Sequence, residues 1–196
     1  MASQVQICNL ALSHIGITTP ISSIDEAGAE ARQCKLHYDQ AVTALIGGPN
    51  FIFQNTVSVV AMAQVTNDWD SRWLYAFARP VGTIKICRVV PVIDYAEDAI
   101  PVPYGVRGDN IYCDIEVAYL ERVTSPENPE KFGPLLVDAI SAGLAARIAY
   151  PLTRDASVQR AAMETAQRMR MAAEAGDANE NYNRRQRTAG WHTARD

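Results

Sequence analysis

Few side chains in this 196-residue sequence are placed so that they could do chemistry. Asp68 and Asp70 stand two apart in a loop-forming stretch, and His37 precedes them. Two carboxylates and an imidazole could hold a divalent cation in a small metal-dependent enzyme, with the site between helices and sheet. Such a site needs several convergent oxygen ligands, and the sequence groups only two. Asp25 and Glu26 form a second acidic pair, explained by the start of a helix, whose free N–H groups attract carboxylates. Neither His14, His37 nor His192 lies in an HExxH pattern or at Cys/His zinc spacing. The phosphate-cradling glycine loops and the G-x-S-x-G elbow are absent from the sequence. Gly47 and Gly48 are followed by Pro49, which ends a helix rather than opening an anion-binding one. The order Arg107, Gly108, Asp109 spells the triplet read by integrins, but with Asn110 next it is hairpin-turn chemistry. No catalytic residue, metal ligand or cofactor site is assigned.

Two groups suit binding better than catalysis. Trp69, Trp73, Tyr75 and Phe77 form an aromatic run, read as a cluster packed on a sheet. The tail from residue 179 is polar and without periodicity, and carries Tyr182, Arg184, Arg185, Arg187, Trp191 and Arg195. Arg, Tyr and Trp supply most of the energy at protein interfaces, so an arm that folds on a partner is one reading, and a plain disordered terminus the other.

The elements that must position these groups follow from periodicity. Ser3 and Gln6 have capping-box spacing, and Val5, Cys8, Leu12 and Ile15 then recur at helical spacing until Gly16. Ser23 and Glu26 repeat the box ahead of a stripe of Ala27, Ala31, Cys34, Tyr38, Val42 and Leu45. Residues 51–122 are rich in Thr, Val, Ile and Tyr and broken by Pro and Gly, which predicts short strands near 73–78, 84–90, 102–106, 111–113 and 116–120. After a loop at 125–129, residues 132–150 are apolar on most sides, with Leu136, Ile140, Leu144 and Ile148 in one row and Pro151 as the stop. A last helix carries Val158, Ala162, Ala166, Met169 and Ala173 on one face and an Arg160, Glu164, Arg168 ion-pair ladder on another, with Gly176 as its end. The expected fold is α+β: a bundle of about four helices (residues 3–46 and 130–177) with an inserted small antiparallel sheet or partial barrel (51–122), then an extended C-terminal arm (179–196).

Composition narrows the class. The 18 Lys and Arg against 22 Asp and Glu give a formal charge of -4, unsuited to gripping nucleic acid over the whole surface. No long apolar run predicts a membrane-spanning helix, and the first residues do not read as a secretory signal. Cys8, Cys34, Cys87 and Cys113 form no CxxC pair, and free buried thiols suit a reducing cytoplasm.

Several short motifs, taken in order, resemble those of phage head-to-tail adaptor proteins, the tail tubular protein A or gatekeeper-like family. Cys8 through Gly16 resembles the family's opening helix, and Ile21 through Glu26 its step into the second. Ala31, Cys34, Tyr38 and Asp39 are similar to the second-helix pattern, and Tyr75 through Pro80 to the strand that opens the β region. Gly108 through Asp114 resembles the hairpin, and 129–149 the alanine-rich late helix. The resemblance implies a virion structural protein at the head–tail neck of a tailed phage of the short-tailed kind, made in the host cytoplasm. It implies a ring, typically a dodecamer, beneath the portal protein, extending the channel through which genomic DNA passes without sequence-specific binding. It also implies a platform for a tail nozzle or hub protein, no membrane, and a C-terminal segment that clasps the portal. Tyr182, Arg184, Arg185, Arg187, Trp191 and Arg195 would be the portal contacts. The alternatives are the metal-dependent enzyme above and a regulatory module that binds nucleic acid through the Arg-rich tail.

Overall fold

The computed structural model describes residues 2–48, 57–91, 100–124 and 129–182, and for 180–182 the backbone alone. The fold is α+β, a helical bundle with two small antiparallel sheets inserted in the chain between its second and third long helices. By contacts the chain divides into a helical unit, Met1–Ala41 with Phe132–Asp196, and a β unit, Val42–Lys131.

In the helical unit, α1 spans Gln4–His14 and starts with the expected capping box. Gln6 N–H donates to Ser3 Oγ at 3.1 Å, and Ser3 N–H to Gln6 Oε1 at 3.2 Å. Ile7, Cys8, Ala11 and Leu12 are buried, and Gly16 turns the chain at φ +81°. Asn9 then fastens the extended linker like one rung of a sheet. Its side chain donates to Ile21 O at 3.0 Å and accepts from Ile21 N–H at 2.8 Å. The second helix, α2, spans Ala29–Ile46 and buries Ala31, Cys34, Tyr38, Ala41, Val42, Leu45 and Ile46. It starts later than Ser23 and Glu26 predict, and Ala27 lies exposed ahead of it. The Ser23 hydroxyl accepts from Asp25 N–H at 3.2 Å, two residues on rather than three, so the pair closes a turn and not a helical cap.

The third helix, α3 (Pro134–Thr153), buries ten side chains, among them Leu136, Ile140, Leu144 and Ile148, and packs against α1 and α4. It is long and apolar enough to cross a membrane by length and composition alone, and over half of that stretch is buried inside the protein. Pro151 does not stop it. The helix runs on to Thr153 and ends at Arg154, which takes the left-handed conformation at φ 55° and donates its N–H to Tyr150 O at 2.8 Å. A proline in the last turn removes one donor near the frayed end, where the loss is smallest. The fourth helix, α4, spans Ala156–Tyr182. Asp155 caps it, accepting from the N–H and the hydroxyl of Ser157, both at 2.7 Å, and these bonds hold its carboxyl below the ordinary value.

Gly176 also fails to end its helix. A Cβ at Gly176 would lie 2.6 Å from Leu135 Cδ1, so the glycine is a seat for an α3 side chain, and α4 continues six residues past it to Tyr182. Among the described residues, the ion pair on α4 is Arg170 with Glu174 at 2.9 Å, while Arg168 bonds the Thr165 hydroxyl, in place of the Arg160, Glu164, Arg168 ladder.

The β unit holds two sheets where one was expected. The first has the order β1-β7-β4, with β1 at Val57–Ala61, β7 at Tyr119–Thr124 and β4 at Thr83–Val90. The second has the order β2-β3-β6-β5, with β2 at Gln64–Val65, β3 at Tyr75–Ala78, β6 at Asn110–Cys113 and β5 at Tyr104–Arg107. Both contribute to one core of Met62, Phe77, Val89, Ile111, Cys113, Ala118 and Leu120. The hairpin at 108–109 forms as expected: Arg107 pairs with Asn110, and Gly108 sits at φ +59°, as the first position of a type II′ turn requires. Strands β1 and β2 were not expected. Pro49, Phe51, Phe53 and the loop at 125–128 lie outside the described residues.

All four cysteines are free. Cys8 and Cys34 are fully buried, and the neighbouring Cys34 thiol together with burial pushes the Cys8 thiol well up. Beside them Tyr38 is 6% exposed, its hydroxyl is buried without a partner, and desolvation raises it to about 12.

Ile140→Ala is expected to lower stability by about 2–5 kcal/mol in denaturant unfolding, the usual cost of an unfilled core cavity. Tyr38 gives a pH signature. In the unfolded chain the phenol ionises first, near 10. The stability it contributes is complete below that pH and is lost as the pH rises towards about 12. Tyr38→Phe is expected to be neutral or stabilising at pH 7, and to lessen the alkaline loss by roughly 1–3 kcal/mol. Parallel urea titrations of both proteins across pH 7–12 check this.

Candidate functional site

The residues singled out by sequence fall in separate places. His37 lies on α2 in the helical unit, half-buried with Nδ1 unpartnered, whereas Asp68 and Asp70 belong to the β unit. The Asp68 carboxylate accepts the hydroxyl hydrogen of Tyr112. Among the described residues no three His, Cys, Asp or Glu side chains converge as a metal site would need. His14, at the end of α1, lies 3.4 Å from the buried Ser141 hydroxyl, which also donates to Asp138 O at 3.0 Å. Tyr182 is the last residue of α4, and its side chain is outside the description. Arg184, Arg185, Arg187, Trp191 and Arg195 lie outside the described residues altogether.

A different constellation forms around the tryptophans. Strand alternation splits the aromatic run between two faces. In the register of β3, β6 and β5, Phe77 pairs with Ile111 and Tyr75 with Cys113 on the core face. On the opposite face Ala76 and Gly105 both pair with Tyr112. The loop between β2 and β3 folds over that second face. Asn67 pins it, accepting from Trp69 N–H at 2.9 Å and donating to Trp73 O at 2.6 Å. Its exit is fixed by Leu74 N–H, which donates to Asp114 Oδ1 at 3.0 Å.

The indoles rest on small residues. Trp69 meets Tyr112 edge-to-face, with centroids 5.3 Å apart and planes at 87°. A Cβ on Gly105 would lie 2.9 Å from Trp73 Nε1 and 3.2 Å from Trp69 Cζ3. Gly105 is thus held by close approach rather than by backbone conformation. Tyr112 is fully buried beneath the loop, and its bond to Asp68 raises its phenol above the ordinary value, because ionisation would set two negative charges side by side.

Two exposed arginines cover this layer. The Arg72 guanidinium carbon is 5.8 Å from the Trp69 ring centroid and 6.0 Å from that of Trp73, and Arg107 is 5.8 Å from Trp69. Each such contact is worth about 0.5–1 kcal/mol at an exposed site. A guanidinium held over a ring by cation–π attraction still has N–H groups to offer a carboxylate or phosphate. The arrangement can bind an anion. Sequence reasoning found Trp69 and Trp73 but missed Arg107, Gly105 and Tyr112, which come from strands far along the chain, Tyr112 44 residues from Asp68, and meet the loop only through sheet pairing.

No family model and no curated protein matches the chain.

Gly105→Ala is expected to displace both indoles and lower stability by about 1–3 kcal/mol, as an overpacked site does. Tryptophan fluorescence of the folded variant should shift to the red as the rings meet water, with the secondary structure unchanged by circular dichroism.

Proposed function

We propose that this chain is a structural head-to-tail adaptor of a tailed, short-tailed bacteriophage. In this reading copies of the chain form a ring, a dodecamer, beneath the portal protein, lengthen the DNA channel and carry a tail nozzle or hub protein. The observation that carries the reading is the order of elements. Two helices, a β insertion and two helices follow one another as the adaptor-like motifs do along the sequence. The net charge of -4 supports it, because a wall that binds phosphates tightly would slow DNA in transit, and an acidic one does not. The last residues support it too. Helix α4 carries the chain to Tyr182, and the arginines and Trp191 follow directly, as a clasp for the portal requires.

Electron microscopy of the protein mixed with portal rings from the same phage tests the reading. A second ring stacked on the portal is the expected result, and particles that never join the portal would refute it. Removal of residues 183–196, which leaves α4 whole, is expected to weaken portal binding by about tenfold or more, since interface Arg and Trp side chains are each worth roughly 1–2 kcal/mol. Unchanged binding by the truncated chain would show that the clasp lies elsewhere.

A further inference from the structure

We propose that the patch formed by Arg72, Trp69, Trp73 and Arg107 is the surface by which one copy of this chain grips a carboxylate-bearing face of a second copy. The inference rests on the ring reading above and names its subunit contact.

The first argument is that the two guanidiniums are held in place but not consumed. Asp70 and Asp109 stand two residues from Arg72 and Arg107 respectively, yet among the described residues neither arginine forms an ion pair. The two remaining nearby carboxylates are engaged, Asp68 by the Tyr112 hydroxyl and Asp114 by Leu74 N–H. Cation–π contact with indoles that are themselves held by Asn67, Tyr112 and Gly105 restricts the arginines before any partner arrives. That removes part of the entropic cost of binding. Leu74, 68% exposed, extends the patch with an apolar side chain.

The second argument concerns the ligand. A nucleic-acid backbone brings a line of phosphates, and the exposed Asp70, Asp109 and Asp114 around the arginines repel it. Bases would need open ring faces, and arginines already lie over the indoles. Isolated carboxylates set among apolar side chains fit better.

The third argument is that this chain itself offers such faces. Leu36, 65% exposed, precedes Asp39 by three residues on α2, and Leu135, still 49% exposed although its inner side packs on Gly176, precedes Asp138 by three on α3. Residues three apart share a helix face. Among the described residues neither Asp39 nor Asp138 is in an ion pair. A contact between the β unit of one copy and a helix of the next joins two unlike surfaces, and a heterologous contact is the type from which rings are built when its rotation closes.

The test uses the full chain assembled on portal rings, read by native mass spectrometry and microscopy. The variant R72E/R107E is expected to need at least tenfold more protein to complete a ring, with its circular dichroism unchanged and its melting temperature lowered by only a few degrees, while R72K/R107K keeps most of the assembly. A photoreactive residue at position 74 of the otherwise unaltered chain is expected to crosslink to a peptide from α2 or α3 of a neighbouring copy. Normal rings from R72E/R107E, or crosslinks that lead to the portal or tail protein, overturn the inference and leave the adaptor reading standing. Loss of oligo-dT binding in R72E/R107E, with rings intact, assigns the patch to nucleic acid and overturns it too. If the wild-type chain forms no ring with the portal, both fail.

Discussion

The burial of α3 is the constraint on which the helical half of this protein depends. Ten of its twenty residues are buried, and they lie on most sides of the helix. One neighbour cannot cover such a helix, and α1 and α4 both pack on it. Helices from the start and the end of the sequence are therefore drawn to one element. The chain that joins α2 to α3 has no place in that packing, which leaves it free to fold as a β unit with a core of its own. Small residues decide how close the helices come. Ala139, Ala142, Ala145 and Ala149 are buried on α3, and Gly176 on α4 receives the Leu135 side chain.

The β unit solves a different problem. A four-stranded sheet with one face on a core leaves the other to water, and here that face carries the large, fully buried Tyr112. A single loop covers it with two indoles, and Ala76 and Gly105 make the room. The loop holds little regular structure, so its shape depends on side-chain-to-backbone bonds from Asn67 and Asp114. The cover is itself aromatic and needs a polar skin, which Arg72 and Arg107 provide. A layer that begins as packing thus ends as a surface with fixed cationic edges.

The acid–base balance separates the parts. The described body pairs Lys35 with Asp25 and Arg88 with Glu121, both short contacts, the second half-buried between β4 and β7. Arg122 is spent on the backbone, donating to Pro80 O and Val81 O and so tying β7 to the turn ahead of β4. These cations of the body are tied to structure or lie over rings, while the residues from 183 onward carry arginines with few acids. Under the adaptor reading this divides the labour, with an acidic wall for passing DNA and a basic terminal segment for a protein partner.

Periodicity determined much of the fold from sequence alone. The stripes of α1, α2 and α4, the apolar α3, the Ser3 cap and the Gly108 hairpin were legible because each depends on neighbours within a few positions. The failures share one cause. Ser23 with Glu26, Pro151 and Gly176 all looked like local signals, and each was overridden by a contact or a geometry that local spacing does not encode. Val57, Val59 and Val60 carried a strand signal for β1, but its partner β7 lies some sixty residues on. The aromatic run is the clearest case. Sequence placed Trp69, Trp73, Tyr75 and Phe77 in one cluster, and only the pairing of β3, β6 and β5 sent the last two inward and left the first two beneath Arg72 and Arg107. Side-chain types and local spacing settle what each segment can become. Which distant strand lies alongside is decided by the burial of shared apolar surface, and that choice made the arginine–indole patch.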